Sequence, residues 1–237
     1  MARNDSKIAH WVWGRHSVQA VLGQQQRKIL KAVCLAGKED CFRAAKVKVE
    51  VVGSATFERL FGDVPHQGVA VQVDSIFQVD LHNLEEGLEQ RPILALDQLL
   101  DPHNVGALWR SAAAFGFQAV MVPGARSAFL GGSAAKAACG AFEQVPLLAV
   151  SNLSDGLEKL RRKGFVIVGL SEQGTFFPLK DLGGPLVLVV GGEGKGMRRL
   201  TTEKCDHLWR IPTAQSFGTL NASVAGAVGM FYASMCG

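Results

Sequence analysis

The chain has 237 residues, 48% of them apolar and 19% charged, with a formal net charge of +4. That composition excludes a disordered polypeptide and supplies enough apolar surface for one large domain or two modest ones. The five cysteines (Cys34, Cys41, Cys139, Cys205 and Cys236) are odd in number and form no CxxC pair, which disfavours a disulfide scaffold or a metal site and fits reduced thiols in a cytoplasmic protein.

Residues 8–73 read as a small α/β unit. A helix begins over Ser17–Leu22, strands are expected at Lys31–Ala36 and Val47–Val52, and Val69–Val73 alternates too little for a surface strand and should be buried. Residues 1–50 carry ten Lys/Arg against four Asp/Glu, a balance that suits a phosphate-bearing partner or simply a solvated surface. Residues 51–90 reverse it, with one Arg against seven acids. The stretch 75–91 loses periodicity and ends at Pro92, as a linker between domains would. Met1–Lys7 lack the apolar core of a leader, and no apolar run approaches the ~18 residues of a membrane span, so no membrane partner is expected.

From residue 93 onward, short apolar strands alternate with helices. The strands are Ile93–Leu96, Ala119–Val122, Val166–Leu170, Leu186–Val190 and His207–Ile211. The helices are Asn104–Phe115, Ser133–Ala141, Leu153–Lys163, Met197–Lys204 and Leu220–Met235. Such strands predict a mostly parallel sheet with helices on both faces. Ligands of these sheets lie beyond the carboxyl ends of the strands, and three polar clusters fall there.

The first cluster runs from Asp97 to Arg110. Pro102 fixes a turn, Asn104 can cap the following helix, and Gly106 admits a close neighbour. Arg110 stands on an otherwise apolar, Ala-rich helix, either as a snorkelling residue or as a clamp for phosphate or oxyanion. The second cluster is Gly191-Gly192-Glu193-Gly194-Lys195-Gly196. It fails the phosphate-loop and GxGxxG spacings, so its glycines point to direct main-chain contact with a ligand, or to a plain tight turn. Glu193 could accept from a donor or order Arg110. In the third cluster, Ile211 to Val224, Thr219 is placed to cap an apolar helix, and a buried Asn221 and Ser223 would need partners. No GxSxG, HExxH or Cys/His pair at ligand spacing is present.

In this order and spacing, the three clusters resemble the motifs of the SpoU/TrmH (SPOUT) family of RNA ribose 2′-O-methyltransferases over residues 93–235. The matching residues are Asp101-Pro102-x-Asn104-x-Gly106-x3-Arg110, Gly191-x-Glu193-Gly194-x-Gly196-Met197, and Ile211-Pro212-x6-Thr219-Leu220-Asn221-x-Ser223-Val224-Ala225. Trp13-Gly14-Arg15-His16-Ser17 with the residues to Leu22, and His66-Gln67-Gly68-Val69-Ala70, look like the substrate-binding domain of the branch that modifies a guanosine of 23S ribosomal RNA near the peptidyl-transferase centre.

The resemblance implies an S-adenosyl-L-methionine-dependent enzyme. Its residues 92–237 would form an α/β-knot with a deep trefoil, following an L30e-like RNA-binding domain at 1–74 and a linker at 75–91. It implies a cytoplasmic homodimer with the active site near the subunit interface, ribosomal RNA as partner and no metal. Gly191, Gly192, Gly194, Ile211, Thr219 and Leu220 would hold the cofactor. Arg110 would pair the adjacent phosphate and stabilise the developing alkoxide, with the proton passing either to it or to that phosphate, while Asn104 and Glu193 orient Arg110 and the ribose, and Asn221 and Thr219 shape the knot and contact ribose or cofactor. Thr219 stands where the family usually has Ser, Gln215 where Gly is usual and Thr213 where Met is usual; the side chain of Gln215 should alter the cofactor loop. The end of the chain soon after Tyr232 is expected to shorten the last helix and weaken part of the dimer contact. The same fold would also serve a tRNA methyltransferase or a non-catalytic RNA-binding protein of ribosome assembly.

Overall fold

The computed structural model describes residues 10–74, 77–81, 91–123, 130–177, 182–214 and 219–235. The first unit contains β1 (His10–Trp13), α1 (Arg15–Gln24), β2 (Ile29–Cys34), β3 (Val49–Val51), α2 (Ser54–Phe61) and β4 (Val69–Val73). Its sheet has the order β1-β4-β2-β3, with β4 antiparallel to both neighbours and β3 parallel to β2. Side chains alternate across a strand, and β2 shows the consequence. Ala32 and Cys34 join Val18 and Val21 of α1 in the main core, whereas Val33 packs with Phe57 of α2 on the other face. The expected burial of Val69–Val73 is seen, with all but Gln72 buried. Sequence periodicity missed β1 and α2.

The second unit contains β5 (Gln78–Val79), β6 (Ile93–Asp97), α3 (Pro102–Ala114), β7 (Ala119–Pro123), α4 (Gly132–Ala138), β8 (Leu147–Val150), α5 (Leu153–Arg162), β9 (Val166–Phe176), β10 (Leu186–Gly191), α6 (Arg199–Thr202), β11 (His207–Arg210) and α7 (Ala222–Met235). Its seven strands run in the order β11-β9-β10-β6-β7-β8-β5, and every pairing is parallel. Both faces are covered, as continuous apolar strands require. Leu94, Val120, Leu188 and Val190 meet α3, α4 and α7 on one face. Ile93, Met121, Val187 and Val189 meet Leu153, Leu157 and Leu160 of α5 on the other.

Several boundaries shift for local reasons. The fourth helix was expected to reach Ala141 but stops at Ala138, because Cys139 and Gly140 both take positive φ, at 49° and 89°. The strand expected at Val166–Leu170 continues to Phe176, held by β11 across a register shift between Leu208 and Trp209. The helix expected over Met197–Lys204 is a single turn, Arg199–Thr202. Strand β8 was not expected, and Gln78–Val79, inside the stretch read as linker, is the edge strand beside it.

Gly106 shows how closely the layers approach. A Cβ at that position would lie 2.3 Å from the Ala134 carbonyl oxygen and 2.6 Å from Ala137 Cβ. Gly106→Ala should therefore push α3 from α4 and lower stability by about 1–3 kcal/mol, read from urea unfolding.

Candidate active site

Strands β6 and β10 lie side by side, but the chain leaves them in opposite directions. From β6 it passes through α3 to β7 on one side, and from β10 it goes to β11 at the far edge on the other. Such a reversal opens a crevice at the carboxyl ends of the two strands, where open parallel sheets bind ligands. The first two clusters sit at this crevice, and the start of α7 brings the third to it.

The carboxyl end of β6 is Asp97, fully buried in an otherwise apolar strand. Its carboxylate accepts from the main-chain N–H of Arg198 and from Arg198 Nε, both at 2.8 Å. This ties the first strand to the segment just beyond the glycine loop. Gln98, next along, has a φ of 59°, and its carbonyl oxygen would lie 2.3 Å from a Cβ at Gly192. A Cβ at Gly191 would meet the main chain of Gly196 and Met197 at 2.3 and 2.4 Å. Gly196 N donates back to Gly192 O at 3.0 Å, closing the loop as a compact turn. At Gly194 and Gly196 an added Cβ would meet nothing within 4 Å, so this side of the turn presents bare main chain to its surroundings. Asp97→Ala should loosen the turn and lower stability by ~1–3 kcal/mol, read from urea unfolding.

One hydrogen-bonded group joins all three clusters. Asn104 Nδ2 donates to Glu193 Oε1 at 2.7 Å, and Asn221 Nδ2 donates to the same oxygen at 2.9 Å. Asn221 Nδ2 also reaches Asn104 Oδ1 at 3.1 Å. Asn221 Oδ1 accepts from Ser223 N and Ser223 Oγ at 2.9 and 2.6 Å, with Val224 N at 3.4 Å. An amide has separate donor and acceptor ends; Asn221 uses one to cap α7 and the other to hold the first two clusters.

Three local expectations are corrected by this geometry. Asp101 caps α3, accepting from His103 N at 2.9 Å, while Asn104 lies inside the helix with its side chain free for Glu193. Asn221 caps α7 in place of Thr219, so the helix starts at Ala222. Asn221 is exposed, not buried, and finds its partners within the chain.

Arg110 stands apart. It is exposed, and its guanidinium Nη1 donates to Cys139 Sγ at 3.4 Å. Among the described residues it has no hydrogen bond to Glu193, Asn104 or Asn221. Six residues along an α-helix amount to about 120° of rotation and about 9 Å of rise, so Asn104 and Arg110 of one chain face different directions. Ile211 follows β11, and Thr219 and Leu220 are exposed beside Asn221. Thr213 is exposed, and Gln215 lies outside the described residues.

Sequence reasoning missed the Asp97–Arg198 tie and the contact of Cys139 with Arg110. A carboxylate closing an all-apolar strand was the available sign for the first. Cys205 and Met197 both lie against Gly169, and burial, reinforced by the Asp206 and Asp97 carboxylates against the opposing Arg161, pushes the Cys205 thiol up to about 12. Among the described residues no group of His, Cys, Asp and Glu is arranged to hold a metal ion, and no helix is long and apolar enough to cross a membrane.

Residues 91–231 match the SpoU rRNA Methylase family, and residues 11–78 match the RNA 2′-O ribose methyltransferase substrate binding family. A Pseudomonas aeruginosa protein named 23S rRNA (guanosine-2′-O-)-methyltransferase RlmB is 41% identical over 94% of this chain and 96% of its own length. The Escherichia coli K12 protein of the same name is 38% identical over 95% and 98%. Among solved structures, the SpoU methyltransferase AviRb from Streptomyces viridochromogenes, in complex with AdoMet, has a TM-score of 0.78 at 20% identity, covering 98% of this chain and 93% of that one. A family match over more than half the chain and relatives similar along nearly their whole length place this protein in the SpoU rRNA methylase family.

Proposed function

We propose that the protein transfers a methyl group from S-adenosyl-L-methionine to the ribose 2′-OH of a guanosine in 23S ribosomal RNA. The observation that carries the reading is the Asn104–Glu193–Asn221 group, which draws three separated segments to one switch-point crevice. Near-full-length similarity to two proteins named for that reaction supports the substrate. In this reading residues 1–74 bind RNA and residues 92–237 are the methyltransferase unit, acting in the cytoplasm.

The residues present fit the cofactor. A glycine turn whose main chain is uncovered at Gly194 and Gly196 can offer N–H and C=O groups directly to a ligand. Gly191, Gly192, Gly194, Ile211, Thr219 and Leu220 would hold it, within a chain crossing that we take to be the trefoil knot. When bound, S-adenosyl-L-methionine supplies a methyl group already activated by its sulfonium charge. The chain's own residues then have to align the ribose and ease loss of its hydroxyl proton. Asn104, fixed by Glu193, retains its amide geometry for orienting the ribose. A protonated guanidinium is a poor proton acceptor but a strong partner for phosphate and a developing alkoxide, so Arg110 acts by electrostatic stabilisation and the hydroxyl proton passes to the phosphate that it pairs.

Because Arg110 faces away from the polar group of its own chain, we propose that it serves the crevice of a second copy in a homodimer. The exposed apolar residues Val224, Phe231 and Met235, seven and four residues apart on α7, with Leu100 and Leu220, supply a surface for that contact. Incubating the purified protein with methyl-labelled S-adenosyl-L-methionine and transcribed 23S rRNA, then digesting the RNA, should yield labelled 2′-O-methylguanosine. Labelled base, or no label despite cofactor binding by calorimetry, would refute the reading.

A further inference from the structure

The first unit packs on residues 132–143, the segment that carries α4 and the 3-10 turn Ala141–Glu143 after it. Trp13 occupies the space above Gly132, where a Cβ would come 1.6 Å from Trp13 Cη2. Ala20 of α1 covers Gly140, where a Cβ would come 2.4 Å from Ala20 Cβ. Ser17 Oγ donates to the Ala135 carbonyl at 3.3 Å, and Lys136 Nζ donates to the Pro65 carbonyl at 3.1 Å. Arg27 of the first unit closes on Glu143 in an ion pair whose side chains are each only 2% exposed. Burial pushes the Glu143 carboxyl up, and the guanidinium of Arg27 against it pulls the other way. Such a pair contributes little net stability, yet it strongly disfavours any arrangement that separates its members. The two units therefore share one register along this segment.

Cys139 lies in the middle of the segment, held in left-handed backbone geometry between Lys136 and Gly140. Its thiol donates to the Lys136 carbonyl at 3.4 Å, and its sulfur accepts from Arg110 Nη1 at the same distance. Behind it, α4 presses on Gly106 of α3, the helix that bears Arg110. We infer that the N-terminal unit sets the geometry of Arg110 through residues 139–143, with Cys139 as the positioning residue at the contact. The N-terminal unit thus acts on the transfer step as well as on RNA capture. This rests on the reading of Arg110 as the residue that stabilises the developing alkoxide.

Single-turnover methylation of transcribed 23S rRNA separates transfer from binding. Cys139→Ala is expected to slow transfer about tenfold, a loss in keeping with a small misplacement of a catalytic group. RNA and S-adenosyl-L-methionine affinities should stay unchanged, and Cys139→Ser should recover part of the rate. Ala20→Gly, which opens the space over Gly140, should slow the same step severalfold. A second measurement uses the folded wild-type protein. Among the described cysteines, methyl methanethiosulfonate caps the exposed Cys139, whereas Cys34 and Cys41 are buried and burial raises the Cys205 thiol; the effect of capping Cys236 is read separately in the Cys139→Ser protein. Capping should reproduce the rate loss, dithiothreitol should reverse it, and the Cys139→Ser protein should not respond. Unchanged transfer in both the Cys139→Ala and the capped protein, or a loss accounted for entirely by RNA affinity, would overturn the inference. Slow Cys139→Ala with full-rate Ala20→Gly would remove the N-terminal unit from it. Full activity of Arg110→Ala would instead overturn the reading beneath it.

Discussion

Replacing Arg110 by alanine is expected to lower methyl transfer about a thousandfold, the scale seen when one donor to a developing oxyanion is removed. The fold should hardly register the change. Arg110 is exposed and is held by one weak contact to the Cys139 sulfur, so stability should move by no more than about 0.5 kcal/mol. S-adenosyl-L-methionine binding should persist, since the glycine turn is built from β10 and anchored by Asp97. Arg110→Lys should fall between: it keeps the charge but loses the planar fork that can engage phosphate and alkoxide together. Rapid-quench rates with calorimetry on the same samples check all three statements. In the homodimer proposed above, mixing Arg110→Ala with Asn104→Ala protein should restore part of the activity, because one crevice would keep both residues.

Glu193→Ala is expected to slow transfer about a hundredfold, for a different reason. A single carboxylate oxygen accepts from both Asn104 and Asn221. Its removal strands the donor of Asn104, which is only 6% exposed and cannot turn freely to water. A buried donor left without a partner costs about 1–3 kcal/mol, so urea unfolding should report a loss of that size beside the kinetic defect. Glu193→Gln should retain more of both, because an amide oxygen can still accept one of the two bonds. If Glu193→Ala matched the wild-type rate, the polar group would be a structural tie and no part of the active site.

The sequence made much of this legible, and the limits were physical. Continuous apolar strands such as Leu186–Val190 marked a buried parallel sheet, and all its strands but β5 and β8 were anticipated, β9 only as far as Leu170 of a strand that runs to Phe176. Strand β8, Leu147–Val150, escaped although it is a short apolar run behind a proline like β6 and β10. Residues Gln78–Val79 escaped because two residues carry no period. Helix α2, Ser54–Phe61, carries its burial mainly through Phe57, too little for a stripe.

At the site, the residue types of Asn104, Glu193 and Asn221 identified a polar cluster, but only the fold reveals that they bond to one another. The caps were assigned to the wrong neighbours, since Asp101 and Asn221 compete with Asn104 and Thr219 for the same role and chain geometry decides between them. The relation of Arg110 to its own chain's polar group depends on helical phase and not on motif content. The Arg27–Glu143 pair spans 116 positions and leaves no local trace in either segment.

Mapping ribose methylation across total RNA from cells with and without the gene locates the methyl group that the protein adds. The proposed activity requires that one 2′-O-methylguanosine disappear from 23S rRNA, return with the wild-type gene, and fail to return with the gene for Arg110→Ala. Unchanged 23S ribose methylation, or a loss confined to tRNA, would contradict it.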